Sequence, residues 1–289
     1  MFLGIIVHIF ISLLIFILLL RMFVSARDAY FNPIFNGIYR ATDPIMAPVH
    51  KALRRKPVDT AQVDFLVLIP VVFLIFFDGV IMGVLTPGMS IPRGILNAIV
   101  SFADAAFLIY VILILIFSVF YKSSPTPSNP FTRTGFKIME PMYIFIGRHM
   151  RPLKNWPGVT AFVIGLILHL IFGLLLFSLV TVGNAYVAEH PGAVGLLAIQ
   201  NSLGTLLWLA TFFTWTIIIG ALMSWISPDP NNPIVGLIRL LSEPINRPFR
   251  KLVPTIGGID ITPIFSILIL QLVAQTGARI LAEIVVIPR

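Results

Sequence analysis

Six apolar runs limit this chain more than any other feature: Phe2–Phe23, Phe65–Leu85, Ile95–Phe120, Val159–Val182, Leu203–Ile226 and Ile261–Val286. Each reaches or approaches the ~20 residues that carry a helix across a bilayer core. Backbone polar groups in hydrocarbon must bond within the protein, so only helices and closed barrels can span it. The strand alternation that a barrel requires is absent, and six transmembrane helices are expected. Asp, Glu, Lys and Arg make up only 11% of the 289 residues, less than half the ~25% usual in a soluble domain. The first run has no basic leader and no small-residue cleavage site, and it is too long for a signal-peptide core. It is expected to be a retained span.

The connections are unequal. Residues 24–64, 121–158 and 227–260 are long, whereas 86–94 and 183–202 are short. Counting from Arg21, the long segments hold 17 of the 20 Lys/Arg residues, divided seven, six and four. The positive-inside rule places these loops in the cytoplasm and both termini on the outer side of a bacterial inner membrane. The net charge of +8 sits in loops between spans, where anionic head groups explain it. Direct nucleic-acid binding is not expected.

The long loops repeat one another. FNPIFNGIYRATDP, SNPFTRTGFKIMEP and NNPIVGLIRLLSEP align without a gap. Asn-Pro recurs at Asn32-Pro33, Asn129-Pro130 and Asn232-Pro233, and an acid precedes a second proline at Asp43-Pro44, Glu140-Pro141 and Glu243-Pro244. Basic residues follow, including Lys51, Arg54, Arg148, Arg151, Arg247, Arg250 and Lys251. The unit is span, basic elbow, span, and it occurs three times, over residues 1–88, 89–190 and 191–289. The fold class is therefore an all-α membrane protein, with six transmembrane helices arranged as three tandem two-helix repeats.

Asn before Pro is a helix start, because the Asn side chain caps a free amide and Pro lacks one at the first helical position. A short helix of about ten residues should follow and stop before the second proline, which disfavours α geometry in its predecessor. Ile234, Leu237, Ile238 and Leu241 share one face, as do Ile34, Ile38 and Ala41. Such a helix, flanked by Lys and Arg, suits the bilayer interface on the cytoplasmic side. Asp43, Glu140 and Glu243 then act either as caps and ion-pair partners or as part of a docking surface for a protein.

No phosphate loop, nucleophile motif or metal-ligand cluster occurs. Thiol chemistry is excluded because there are no cysteines. No enzymatic activity and no cofactor are expected. His8 and His169 are the only histidines within predicted spans. They could flank a haem, but a bond to a neighbouring helix is the simpler reading. The ionisable groups Asp78, Asp104, Arg279 and Glu283 also fall within spans, where such groups mark a pathway or an internal pair. Arg279 and Glu283 are four apart and can pair, and Arg93 is a further candidate partner. Trp156 and Trp225, at span ends, suit interfacial anchoring.

These residues resemble the YggT family of small membrane proteins. The third repeat carries the pattern best, in LSEPINRPFRKLVP followed by GGIDITPIF, with Glu243, Pro244, Arg247, Arg250, Pro254, Gly257, Gly258, Asp260 and Pro263. In the first repeat Asp43 replaces Glu and Asp64 stands near the Asp260 position. In the second, NWPGVTAF stands where GGID would be. The resemblance implies a role in envelope growth, division or osmotic tolerance, as associated with bacterial relatives. Plastid relatives are associated with cytochrome assembly and nucleoid distribution. The basic elbows and the absence of catalytic groups imply membrane lipids and a membrane or cytoplasmic protein as partners, with a homo-oligomer also compatible. A scaffold or assembly factor is favoured over a channel or transport component.

Overall fold

The computed structural model describes residues 2–24, 26–54, 64–121, 130–150, 155–182, 188–190, 192–226, 232–253 and 260–284. Within them the regular structure is helical: α1 Phe2–Phe23, α2 Ala26–Phe31, α3 Pro33–Ala52, α4 Leu68–Leu85, α5 Ile91–Tyr121, α6 Pro130–His149, α7 Pro157–Val180, α8 Gly192–Ile226, α9 Pro233–Arg250 and α10 Thr262–Ile284. A short 3-10 turn, Phe65–Val67, leads into α4. Six helices among the described residues (α1, the turn with α4, α5, α7, α8 and α10) are long and apolar enough to cross a membrane. Their outward faces stay apolar, with Phe10, Phe73, Leu168 and Leu272 all exposed. Exposed apolar surface on this scale needs lipid rather than water around it.

The chain packs as two compact bodies, Met1–Ala103 and Asp104–Arg289. In the first, α1 packs on α3 and α4. Leu18, Met46, Val67 and Val71 form the centre of its core. In the second, α8 packs against α7, α9 and α10, and α6 lies against α7 and α9. Phe117, Met139, Tyr143 and Ile146 form an aromatic-rich core beneath α6.

Two sequence expectations are corrected. The elbow helices do not stop at the second proline: α3 and α6 run 20 residues and α9 runs 18, with Pro44, Pro48, Pro141, Pro244 and Pro248 inside them. All five prolines lie on the exposed face, where a helix can tilt its carbonyls outward at least cost. Nearby donors bond the preceding turn. The Thr42 hydroxyl donates to Ile38 O at 2.7 Å, and the Ser242 hydroxyl donates to Arg239 O at 3.2 Å. These bonds go to carbonyls other than the ones the prolines leave without a helical donor, Arg40 O before Pro44 and Leu240 O before Pro244, so the exposed position of the prolines is what makes them tolerable. Asp43, Glu140 and Glu243 are therefore interior helix residues and not caps.

The second correction concerns the segment 183–202. Helix α8 begins at Gly192, and Gln200, Asn201 and Ser202 are helical rather than part of a loop. These polar residues break the apolar run, yet nothing in their helix propensity breaks the helix.

The α4–α5 hairpin shows why small residues fall where they do. A Cβ on Gly83 would come within 2.6 Å of Ile91 Cα, and one on Gly79 would strike Ile95 Cα. Gly94 faces the same backbone from the other side. Gly79 and Gly83 are spaced as a small-xxx-small seam, which lets membrane helices approach backbone to backbone. Gly79→Leu should prise the hairpin open and cost about 1–3 kcal/mol. Earlier unfolding in mixed SDS micelles would report it, whereas Leu at Gly37, which has open space around it, should have little effect.

Candidate functional site

The elbows carry the recurring residues. Asn32 caps α3 by accepting from Ile34 N at 2.9 Å, and Asn232 caps α9 by accepting from Ile234 N at 2.9 Å. Pro33, Pro130 and Pro233 each occupy the first helical position. Asn129, Pro254, Gly257 and Gly258 lie outside the described residues.

In the first elbow, Arg21 reaches from α1 to α3 and is only 2% exposed. Its Nη1 donates to Asp43 Oδ1 at 2.6 Å, to Thr42 Oγ1 at 2.8 Å and to Tyr39 O at 3.3 Å. The guanidinium also lies 4.1 Å from the centre of the Tyr39 ring, so cation–π attraction adds to the charge pairing. These bonds offset part of the cost of burying the guanidinium, whose Nε has no partner among the described residues, and removing them would leave the charge uncompensated. A second link joins His50 Nε2 to Asp64 Oδ2 at 3.1 Å. Asp64 also accepts from Leu66 N and so starts the next span.

The third elbow uses the same plan with different residues. Arg250 bridges Glu243 Oε1 at 2.6 Å and Asp260 Oδ2 at 3.3 Å. Asp260 accepts from Thr262 N at 2.9 Å at the head of α10, and Pro263 follows as its second residue. Hydrogen bonding from Thr262, foremost from its side chain, and the Arg250 charge hold the Asp260 carboxyl below its usual range. The second elbow relies on neutral groups: Tyr143 shares a hydrogen bond with Ser118 at 3.0 Å. Glu140 is exposed there, and Arg247 is exposed in the third elbow.

The span acids are separate from one another. Asp78 is 4% exposed and pairs with His8 Nδ1 at 2.8 Å through Oδ2, and its Oδ1 has no partner among the described residues. Asp104 Oδ1 accepts from Asn201 at 2.6 Å and meets His169 Nε2 at 3.0 Å, while His169 Nδ1 meets Ser202 at 2.8 Å. A neutral imidazole satisfies both bonds, with Nε2–H donating to the carboxylate and the serine hydroxyl donating to Nδ1. This network borders a cavity of about 540 Å³ lined by Asp104, Leu108, Asn201, Thr205 and Trp208. Arg279 and Glu283 are exposed on α10 and make no ion pair among the described residues. Arg93 likewise makes none. Sequence reasoning missed Asn201 and Ser202, whose only signal was polarity beside an apolar run. Trp156 precedes α7 and is exposed, and the Trp225 side chain lies outside the described residues.

Two outcomes follow from this geometry. Asp104→Ala strips the acceptor from His169 and Asn201 and should cost about 1–2 kcal/mol, read as a lower midpoint in SDS unfolding, with Asp104→Asn losing less. Because the folded Asp260 value lies below the unfolded one, its stabilising contribution is present above the unfolded value of ~3.9. It is lost as pH falls through the depressed folded value. Acid titration of unfolding should show that loss in the wild type and not in Asp260→Asn.

Comparison with known proteins agrees with this arrangement. The family model described as CCB3/YggT matches residues 1–85 and 199–281, together more than half of the chain. Those segments carry the first and third elbows. The chain is 30% identical over 156 residues to the protein of Escherichia coli (strain K12) described as "Uncharacterized protein YggT", covering 53% of this chain and 74% of that protein. It is 39% identical over 85 residues to an uncharacterised Pseudomonas aeruginosa protein, covering 29% of this chain and 43% of the relative. A Vibrio alginolyticus protein is 26% identical over 157 residues, covering 54% and 78%. The chain thus spans less than half the length of the Pseudomonas relative. No solved structure matches. With the elbows, their caps and the spans in place, the chain belongs to the CCB3/YggT family.

Proposed function

We propose that this chain is a non-catalytic scaffold or assembly factor of the bacterial inner membrane, with its elbows at the cytoplasmic face and both termini on the outer side. One observation carries the reading. The first elbow is fixed to its span by the Arg21–Asp43 pair and the third to the head of α10 by the Arg250–Asp260 pair, while Lys51, Arg54, Arg247 and Lys251 remain exposed beyond those pairs. Arg148 extends the same basic character to the second elbow. A helix tied down on one side and basic on the other suits anionic lipid head groups or an acidic protein surface. The elbows α6 and α9 also touch, so their outer faces can act as one surface. Envelope growth, division and osmotic tolerance are the processes such a scaffold would serve.

A second reading, an ion-conducting or transport component, draws on the Asp104–His169–Asn201 network beside its cavity. The scaffold is preferred because these polar groups bond one another, leaving the network's charge engaged within the protein.

In-cell photo-crosslinking from position 247, with mass spectrometry of the adducts, tests the scaffold. A discrete protein adduct is expected, and lipid adducts alone would overturn it. Cation flux into vesicles should be the same for wild type and Asp104→Asn; a fall with the substitution would favour the second reading.

A further inference from the structure

The three repeats differ where each span meets its elbow: eleven residues before Asn32, Asn129 and Asn232 stand Arg21, Ser118 and Ala221. In the first repeat the Arg21 guanidinium fills the space between span and elbow, bonded to Thr42 and Asp43. In the second, Ser118 and Tyr143 fill it with a shared hydrogen bond. In the third, Ala221 offers no side chain to do so. A cavity of about 1040 Å³ stands there, lined by Gly220, Ala221, Ser242, Glu243, Asn246 and Arg250.

The acceptors that hold a cationic nitrogen in the first repeat persist in the third. Ser242 stands at the Thr42 position and Glu243 at the Asp43 position. A further acceptor has appeared, because Asn246 replaces Met46. Asn246 is 6% exposed and its Oδ1 has no hydrogen-bond partner among the described residues. A buried amide oxygen left open costs about 1–3 kcal/mol, so its persistence beside a cavity points to a donor supplied from outside. Arg250 already bonds Glu243 Oε1, which leaves Oε2 for a second donor.

The rest of the lining identifies the donor's carrier. Arg239 also lines the cavity, is exposed, and offers a guanidinium to a phosphate. Ile264 and Ile267, from the first turns of α10, and Leu222, from α8, form an apolar wall. Leu222 and Ile264 are themselves outward-facing, so the wall continues onto the lipid-facing surface of the spans. An ammonium donor, a phosphate and an apolar tail occur together in one class of molecule. We propose that the third elbow is a binding site for an aminophospholipid of the phosphatidylethanolamine class. Its primary ammonium sits among Ser242, Glu243 and Asn246, its phosphate meets Arg239, and its acyl chains lie against Ile264 and Ile267. An arginine from a protein partner would satisfy the acceptors but would leave Arg239 and the apolar wall unused. The proposal needs the elbow to lie at a bilayer surface and stands apart from the scaffold reading.

Native mass spectrometry of the full chain, released from nanodiscs of equimolar dioleoyl phosphatidylethanolamine, phosphatidylcholine and phosphatidylglycerol, tests it. Phosphatidylethanolamine should be retained about tenfold over phosphatidylcholine, whose quaternary ammonium cannot donate, the factor expected from one charge-assisted hydrogen bond. Ala221→Arg, which installs the first repeat's own guanidinium, should abolish that preference and raise the unfolding midpoint in lipid-free detergent. Equal retention of all three lipids by the wild type would overturn the proposal, whatever the variant does. So would an undiminished preference in folded Ala221→Arg, or a protein adduct held in place of lipid.

Discussion

Hydrocarbon provides no hydrogen-bond partners, and that constraint orders nearly everything in this chain. It makes the spans helical, and it favours pairing among the polar side chains buried inside them. His8 meets Asp78, and His169 meets both Asp104 and Ser202. The same constraint decides what the elbows can be. A chain leaving one span must turn through a region where water begins, and it must keep its buried charges paired as it turns. Arg21 with Asp43 is such a pairing, and the exposed Arg250, shared by Glu243 and Asp260, is its surface counterpart at the far end of the third elbow.

Much of the fold was legible in the sequence because it follows from hydropathy and from proline chemistry. Six apolar runs gave six helices, and Asn-Pro gave three helix starts. The errors came where a local rule met tertiary compensation. The second proline of each elbow should have ended a helix, yet it lies on the exposed face, where the carbonyl it orphans can tilt outward, and the helix continues. Residues 192–202 read as loop because Gln200, Asn201 and Ser202 are polar. The polarity of Asn201 and Ser202 is instead answered across the bundle by Asp104 and His169, and Gln200 lines the adjoining cavity.

The candidate site was legible in kind but not in partnership. The recurrence of Asp43, Glu243, Arg250 and Asp260 marked the elbows, and pairing between acid and base was expected. Sequence could not indicate that Arg21, in the last turn of the first span, is the one that closes the first elbow. It also could not indicate that Asp78 and Asp104 each choose a histidine rather than an arginine. Such pairings depend on which helix faces meet, and periodicity within one helix carries no record of that.

The prolines on the exposed faces of the elbows have a consequence of their own. Each lacks an N–H, so the carbonyl four residues earlier, as at Arg40 before Pro44 and at Leu240 before Pro244, has no helical donor. Such a carbonyl is content in water or among head groups and costly in oil. A row of them along one side of a helix acts as a float line. The apolar side of the elbow packs on the protein, so these outward carbonyls cannot be covered by hydrocarbon without losing their only source of donors. The depth of the helix is thus written into its backbone, independently of any charge it carries.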